Sequence, residues 1–198
     1  SDQSKIVGRD GSHATLPNTM EFHTNSENRM SIDSSGHAII PAGVTLGTSA
    51  GVYAAANTLD DYEYGSWTPT YAGDTTAGSY TYGENQGHYV KVGNQVTCWF
   101  NLTNIAGTSG DGTARISGLP FTANWVSGFN GANVGSVSLA EFTGLDGDQI
   151  TAAVTDGANY ILFYHQSGTN NSTDPVDVDD KASDAADVRG FVTYYVGG

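Results

Sequence analysis

The sequence predicts an all-β protein, built as an antiparallel β-sandwich or jelly roll. From residue 74 onward, short runs of alternating apolar and polar residues recur, and turn-forming residues separate them. No segment shows a sustained helical repeat, and the 26 glycines are spread along the chain as breaks between runs. Several short strands at turn-separated intervals are typical of antiparallel sandwiches and jelly rolls.

The clearest single element is a hairpin in GHYVKVGNQVTCWFNL, residues 87–102. Gly93 and Asn94 make a two-residue connection of the kind found in primed turns, because both residue types accept positive φ. The second arm alternates between an apolar side, which we expect in the core, and a polar side that carries Trp99. The predicted inward residues are Val96, Cys98, Phe100 and Leu102, and the predicted outward residues are Gln95, Thr97, Trp99 and Asn101.

A second hairpin is predicted in QITAAVTDGANYILFYHQ, residues 149–166. Its first arm leads to the turn pair Asp156-Gly157, and the apolar run YILFY returns from it. Two further alternating runs, ANVGSVSLAEF and RGFVTYYV, predict two more strands.

Residues 1–58 have a different pattern from residues 59–198, and we expect a slender β stem or anchoring segment followed by a head domain. The first part contains short strands that each carry one thin apolar stripe. An isolated hairpin of this kind is marginal in water, so the segment should order only by pairing with other chains or with the head. Disorder is the alternative. The stripe residues are Met20, Phe22, Met30, Ile32, Ala38, Ile40, Val44 and Leu46.

The charge balance excludes several partners. With a net charge of -14, the chain has no positive field to attract nucleic acid or anionic lipid headgroups. A saline habitat or simple solubility would each explain so much acid. No apolar run approaches the roughly 20 residues of a membrane span, so membrane insertion is not expected. The single cysteine, Cys98, cannot form an internal disulfide and should be a small buried group.

Four segments carry a family resemblance, and they occur in a fixed order. ENRMSIDSSGHAII resembles the ERMRIDSSG type of segment in bacteriophage tail fibres and related virion proteins, and LDDYEYGSWTPTY resembles their DDYEEGTWTP motif, which opens a C-terminal head domain. GHYVKVGNQVTCWFNL is similar to the GRYTKIGNRV hairpin of that domain, and ISGLPF to its GLPF segment. The resemblance implies a homotrimer with an intertwined stem and a β-sandwich head, located on the extracellular virion, in its tail or on the particle surface.

The segment LDDYEYGSWTPTY then becomes the junction between stem and head. The resemblance implies that its aromatic residues pack where three chains enter their heads, that glycine allows a bend, and that proline occupies a sheet edge. For Trp67, a place in the core of the monomer is the competing interpretation. The junction residues are Leu59, Tyr62, Tyr64, Gly65, Trp67 and Pro69.

Glycan recognition is the usual task of such heads, and it needs flat aromatic faces beside amides and carboxylates. Trp99, on the polar side of its strand, is one candidate. The others lie in TANWVSGFNGAN: Trp125, Phe129 and Asn130. Burial in the head or at a trimer interface is the alternative for these aromatic residues.

No cofactor, metal site or catalytic group is predicted. Asp177, Asp179 and Asp180 would offer oxygen ligands to calcium, but Lys181 and Ala182 stand at EF-hand positions five and six, where an oxygen ligand and glycine are expected. The five histidines show no ligand spacing, although three-fold symmetry in the stem would bring copies of His23 or His37 together. There is no G-x-S-x-G motif and no Cys-His arrangement.

Three functions remain after these exclusions. The first is a trimeric, non-enzymatic tail-fibre protein whose head contacts a host-surface glycan or protein. The second is a capsid-surface decoration or head-fibre protein that anchors through its N-terminal segment. The third is a glycan depolymerase. The fold alone does not separate them.

Overall fold

The computed structural model describes residues 4–45, 58–59, 61–124, 133–145, 149–166, 173–181 and 184–197. These residues form antiparallel β-sheets with a single 3-10 turn and no α-helix, so the all-β antiparallel prediction is confirmed. Within the same residues, no helix is long and apolar enough to cross a membrane. The chain divides into two compact units, an N-terminal unit, Ser1–Asp61, and a C-terminal unit, Tyr62–Gly198.

The N-terminal unit contains short strands. Four of them form one sheet in the order β1-β2-β3-β4, and the last two pair with each other. The strands are β1 (Lys5–Gly8), β2 (Met20–Thr24), β3 (Glu27–Ile32), β4 (Ala38–Ile39), β5 (Val44–Thr45) and β6 (Thr58–Leu59).

The stripe residues of β2 and β3 meet on one face of this sheet. Met20 lies opposite Ile32, Phe22 lies opposite Met30, and Ile6 of β1 lies opposite Phe22. We call these five side chains the apolar stripe. None of them is buried: Ile6 is 67% exposed and Met20 is 46% exposed.

The remaining predicted stem residues behave similarly where they are described. Ile40, after β4, is half-buried, and Val44 of β5 is 43% exposed. Leu46 lies outside the described residues.

The other face of the four-stranded sheet carries a polar cluster. Glu21 is 1% exposed, and both of its oxygens accept hydrogen bonds from Arg9, at 2.7 and 2.8 Å. The imidazole Nε2 of His23 lies 2.8 Å from the same carboxylate, and a guanidinium nitrogen of Arg9 lies 2.8 Å from Nε2 of His13. These contacts, led by the Arg9 hydrogen bonds, lower the pKa of Glu21 to about 2. Among the described residues of this unit, only Glu21 and Thr19 are buried.

In the C-terminal unit, the described residues form one sheet with the order β7-β10-β11-β17-β13-β14-β15-β12-β8, and β9 and β16 add to β11 and β15. The strands are β7 (Tyr62–Trp67), β8 (Thr70–Gly73), β9 (Ser79–Thr81), β10 (Glu84–Val92), β11 (Gln95–Thr108), β12 (Ala114–Ser117), β13 (Asn133–Ala140), β14 (Ile150–Val154), β15 (Tyr160–Gln166), β16 (Thr173–Pro175) and β17 (Ala186–Tyr195). The 3-10 turn is Val178–Asp180.

This sheet curls into a half-barrel. Its two terminal strands in the pairing order, β7 and β8, are consecutive in the chain, and only Thr68 and Pro69 separate them. Three peptide links span at most about 11 Å, so the ends of the strand order meet at this corner. The curl encloses a core to which nearly every strand of the sheet contributes.

The alternation predicted for the hairpin arm is confirmed. Val96, Cys98 and Leu102 are completely buried and Phe100 is 4% exposed, whereas Trp99 is 46% exposed. The terminal strand alternates in the same way, with Val188, Val192 and Tyr194 buried. Apolar burial on this scale gives the C-terminal unit a core of its own.

Both predicted hairpins are present. Val92 and Gln95 pair around Gly93-Asn94, and only Gly93 has positive φ, at 54°, which fits a type II′ turn. Strands β14 and β15 pair around Asp156-Gly157, where Gly157 has φ of 73° and the amide of Ala158 bonds the carbonyl of Thr155. The connection spans residues 155–159, because strand pairing stops before the turn pair is reached.

Candidate functional site

An exposed surface with functional side chains is the outer face of strands β7, β10, β11, β17 and β13. We use "outer face" for the residues of these strands that alternate away from the core. Strand registers arrange them in rows across the sheet. The middle row runs Ser66, His88, Trp99, Phe191 and Ser136.

One end of this face is polar. The amide nitrogen of Asn101 donates to a carboxylate oxygen of Glu84 at 2.8 Å, and Nε of Arg189 donates to the amide oxygen of Asn101 at 2.8 Å. Arg189 also donates to Asp187 at 2.9 Å. These four residues, with Gln86 and Ser138, form what we call the polar end. Its linked donors and acceptors hold the side chains in defined positions.

The opposite end is apolar and uncharged. We call it the apolar end, and it consists of Tyr62, Tyr64, Val90, Val92, Gln95, Thr97, Thr193 and Tyr195. Tyr64 is 77% exposed and Tyr62 is 62% exposed, the highest values among the large apolar side chains of the described C-terminal unit.

A cavity of about 260 Å³ opens between β7 and β10, next to the middle row. The polar residues that line it are Ser66, Thr68, Asn85, Gln86 and His88. None of the lining residues is an acid, a lysine or an arginine, so the cavity suits an uncharged ligand with many hydroxyl groups.

Trp67 forms the inner wall of this cavity. It is 8% exposed, its ring packs edge-on to Phe100 with 6.5 Å between centroids, and it belongs to the core. Gly87 makes this packing possible, because a Cβ there would lie 2.6 Å from Cδ1 of the indole. For Trp67, the structure therefore shows the core position that was the competing interpretation.

Trp99 lies beside the cavity on the exposed face. It stands opposite His88 on one neighbouring strand and opposite Phe191 on the other. A half-exposed indole beside amides and hydroxyls is the combination that sugar rings require, since their C–H groups pack on aromatic faces while their hydroxyls need hydrogen-bond partners. The other predicted glycan contacts, Trp125, Phe129 and Asn130, lie outside the described residues.

The predicted junction residues fall into different environments. Leu59, in β6, is 47% exposed. Tyr62 and Tyr64 are exposed on the outer face, whereas Gly65 faces the ring of Tyr89, which lies 2.7 Å from the position of a Cβ. Pro69 is buried between β7 and β8. Glycine at position 65 thus accommodates an aromatic neighbour across the strand pair.

The acidic segment near residue 177 has a structural role. A carboxylate oxygen of Asp180 accepts a hydrogen bond from the backbone amide of Asp177 at 2.8 Å, which caps the start of the 3-10 turn. A carboxylate oxygen of Asp184 accepts the amide of Gly107 at 3.1 Å. Across the described residues, no group of three or more His, Cys, Asp or Glu side chains is placed to hold a metal ion.

Cys98 is buried, as predicted, and points into the core. Its thiol lies 3.8 Å from the hydroxyl of Tyr194, which in turn donates to the carbonyl of Phe121 at 3.2 Å. Burial raises the pKa of Cys98 to about 12. A thiol in this environment is a poor nucleophile.

Several outer-face residues were not among the predicted site residues, notably Arg189, Phe191, Tyr195 and His88. The alternation in RGFVTYYV already separates Arg189, Phe191 and Tyr195 from the buried side chains. Their position beside Trp99 depends on the pairing of β11 with β17, about ninety residues later in the chain.

No protein-family model, curated protein or solved structure matches this chain.

Proposed function

We propose that this protein is a non-enzymatic structural and binding protein of a bacteriophage particle. In this proposal three copies associate through their N-terminal units into an intertwined stem, each C-terminal unit is a jelly-roll-like head, and the heads contact a glycan on the host surface. The location is extracellular, on the tail of the virion. The four motif segments support the phage assignment through their resemblance to fibre proteins.

The observation that carries the proposal is the incompletely covered apolar stripe of the N-terminal unit, in which Ile6 and Met20 are exposed and the other three side chains are half-buried. Its five side chains share one sheet face, yet no apolar residue is buried in the described part of that unit. A four-stranded sheet needs a covered apolar face to offset the entropy of ordering its chain. A second and a third copy of the same stripe would provide that cover and bury all copies at once.

Mass measurement tests the association. In light scattering, the solution mass of the full chain is expected to be three times the mass of one chain. Replacing the two stripe residues Phe22 and Met30 with serine should lower this mass toward that of the monomer. The matched control replaces Glu27 and Arg29, exposed residues of the same hairpin, with serine. A monomeric wild-type chain at all concentrations contradicts the proposal.

The cavity and Trp99 support glycan contact. Aromatic stacking combined with neutral hydrogen-bonding groups recognises uncharged sugars without needing positive charge, which this chain largely lacks. Binding to immobilised bacterial surface polysaccharides should fall at least tenfold for Trp99→Ala. The exposed Thr81→Ala change in β9 should leave it unchanged. Equal binding by the two variants contradicts a role for Trp99.

A capsid-surface decoration protein is the second candidate, and the same stripe favours it. A capsid protein, instead of further copies, would then cover the five side chains of the N-terminal unit. Electron microscopy of parent particles labelled with an antibody to this chain separates the two, because one function predicts label on tails and the other on capsids.

A depolymerase is less well supported by the geometry. Cys98 is buried, and the cavity beside Trp99 contains no carboxylate, whereas glycoside hydrolysis generally uses a pair of them. The appearance of reducing ends during incubation with a bound polysaccharide would reverse this assignment.

A further inference from the structure

We propose that Arg115, on the outside of strand β12, is the centre of a binding site for the carboxylate group of an acidic sugar. The site involves a charged ligand and a part of the sheet other than the one that carries Trp99. In the pairing order, strands β17, β13, β14 and β15 separate β12 from β11, the strand of Trp99. The site does not depend on the proposed function, because it needs neither the association of copies nor a ligand at Trp99.

The alternation of β12 directs Arg115 away from the core. Its two neighbours along the strand, Ala114 and Ile116, are completely buried, whereas Arg115 and Ser117 are half-buried on the opposite side. The strand registers place side chains of β8 and β15 on either side of these two residues. We call this surface the Arg115 face, and its residues are Thr70, Ala72, Arg115, Ser117, Tyr160 and Leu162. Five of the six are uncharged.

The guanidinium of Arg115 forms no ion pair with any residue that the structure describes. Its Nε is buried and has no hydrogen-bond partner there, and its Cζ lies 5.0 Å from the centroid of the Tyr160 ring. The other three arginines of the chain, at positions 9, 29 and 189, each pair with a carboxylate, at 2.7, 2.8 and 2.9 Å. In a chain with 21 acidic and 7 basic residues, Arg115 is therefore the exception.

This arrangement is costly for a charged side chain. A buried polar group without a hydrogen bond has lost its contacts with water and gained no replacement. The electron-rich face of Tyr160 compensates part of this cost, but it offers no oxygen acceptors to the planar fork of N–H groups. Unsatisfied buried groups are uncommon in native structures and each requires an explanation. For Arg115, a ligand that supplies the missing acceptors provides one.

A carboxylate fits this role best, because its two oxygens accept parallel hydrogen bonds from one guanidinium. Around it, Thr70, Ser117 and Tyr160 carry hydroxyl groups, which suit the hydroxyls of a sugar ring. Strand β12 pairs on both sides, with β8 and β15, so its backbone is not open to an extended peptide. These features favour a carboxylated sugar, such as a uronic acid, over the C-terminus of a peptide.

The charge of the whole chain limits how such a ligand is recognised. With a net charge of -14, the protein repels anions at a distance, so attraction has to come from direct contact with the guanidinium. One carboxylate contact on an open sheet face should bind a single sugar in roughly the millimolar range.

Nuclear magnetic resonance on the full chain tests the site with small probes. The Nε–Hε group of an arginine gives a signal of its own in a proton–nitrogen correlation spectrum, and that of Arg115 is assigned through its backbone. D-glucuronate should shift this signal in a saturable way. D-glucose, which has the same ring without the carboxylate, should leave it in place. A signal that glucuronate does not move, or that glucose moves equally, would overturn the proposal.

Two variants provide an independent measurement. Glucuronate binding, followed by saturation transfer to the sugar, should weaken roughly tenfold or more for Arg115→Gln. Arg189→Gln removes the same charge from a paired arginine of the same sheet and should bind like wild type. Circular dichroism checks that both variants are folded, and the wild-type titration decides alone if Arg115→Gln is not. Equal binding by the two folded variants would overturn the proposal.

Two further probes test the class of ligand. Acetate carries the carboxylate without a sugar, and N-acetylalanine resembles the C-terminus of a peptide. Both should shift the Arg115 signal only at higher concentrations than glucuronate, because neither can use the hydroxyls of the Arg115 face. If either probe binds as tightly as glucuronate, the assignment to a sugar is wrong.

Discussion

The indole Nε1 of Trp67 donates a hydrogen bond to the backbone carbonyl oxygen of Trp99, at 3.2 Å. The donor belongs to β7 and the acceptor to β11, and β10 lies between them. The bond is possible because Gly87 of β10, directly opposite Trp67, has no side chain and lets the indole lie across the strand. A buried tryptophan is thus connected to the backbone of the exposed one that we place at the glycan site.

Gly87→Ala should destabilise the C-terminal unit by roughly 1–3 kcal/mol, because the new methyl group overlaps the indole of Trp67 and displaces it from the carbonyl of Trp99. Urea unfolding followed by tryptophan fluorescence measures the loss. Gln86→Ala, the preceding residue with its side chain directed outward, is the control and should change the unfolding free energy by less than about 0.5 kcal/mol. Equal values for the two variants would contradict this packing.

Gly135→Ala should cost more, about 3 kcal/mol, because its Cβ would meet the backbone carbonyl oxygen of Phe191 on the paired strand. Backbone atoms cannot turn aside as a side chain does, so β13 and β17 must separate locally. The unfolding midpoint in urea is the measurement, with Ser136→Ala on the same strand as control. A Gly135→Ala protein as stable as the control would show that the two strands are further apart than described.

Acid should weaken the N-terminal unit through Glu21. Because its pKa is lowered from the ordinary 4.5 to about 2 in the folded state, its stabilising effect is complete above pH 4.5 and disappears as the pH falls toward 2. Glu21→Gln should lower the melting temperature at neutral pH, and the difference from wild type should shrink between pH 4.5 and 2. Circular dichroism melts measure it.

Glu27→Gln is the matched control for that experiment. Glu27 lies on the neighbouring strand and pairs with Arg29 at 2.8 Å, but its side chain is 66% exposed. Exposed ion pairs contribute little to stability, so this change should leave the melting temperature nearly constant across the pH range. A similar pH response from both variants would mean that the Arg9–Glu21 contact does not stabilise the unit.

The thiol of Cys98 should be unreactive in the folded protein. Burial raises its pKa to about 12, so at pH 8 only about one molecule in ten thousand carries the thiolate that reacts. Labelling with a maleimide should be slow in native buffer and complete in denaturing urea. A Ser138→Cys variant, which adds an exposed thiol, is the control for the activity of the reagent. Rapid labelling of the native wild-type protein would show that the core opens at Cys98.

Local sequence patterns were sufficient for much of the fold. The alternation around Cys98 and Phe100 predicted which side chains of β11 are buried, and the pairs at Gly93-Asn94 and Asp156-Gly157 predicted both hairpins. These features depend on residues within about ten positions of one another, and the period of two in a strand is set by backbone geometry. The thin stripes at Met20 and Phe22 likewise predicted strands with little to bury them.

The candidate site was only partly accessible from sequence. Trp99 could be placed on the exposed side of its strand, but its neighbours His88 and Phe191 follow from strand pairing. The segment LDDYEYGSWTPTY is compatible with two positions for Trp67, one in the core of the monomer and one at the junction between stem and head. What decides it is the absence of a side chain at Gly87, on a strand twenty residues away.

The sequence by itself determined the strand character of the chain, the inward side of its best strands and the contrast between its two parts, because these depend on local alternation, turn chemistry and composition. The tertiary structure alone decided that β7 and β8 stand at opposite ends of one sheet order and meet at Pro69. It also decided that Tyr62, Trp99 and Tyr195 share a face. The strand pairings behind these relationships join residues up to about one hundred positions apart. They are selected by how the whole core packs, which no local pattern encodes.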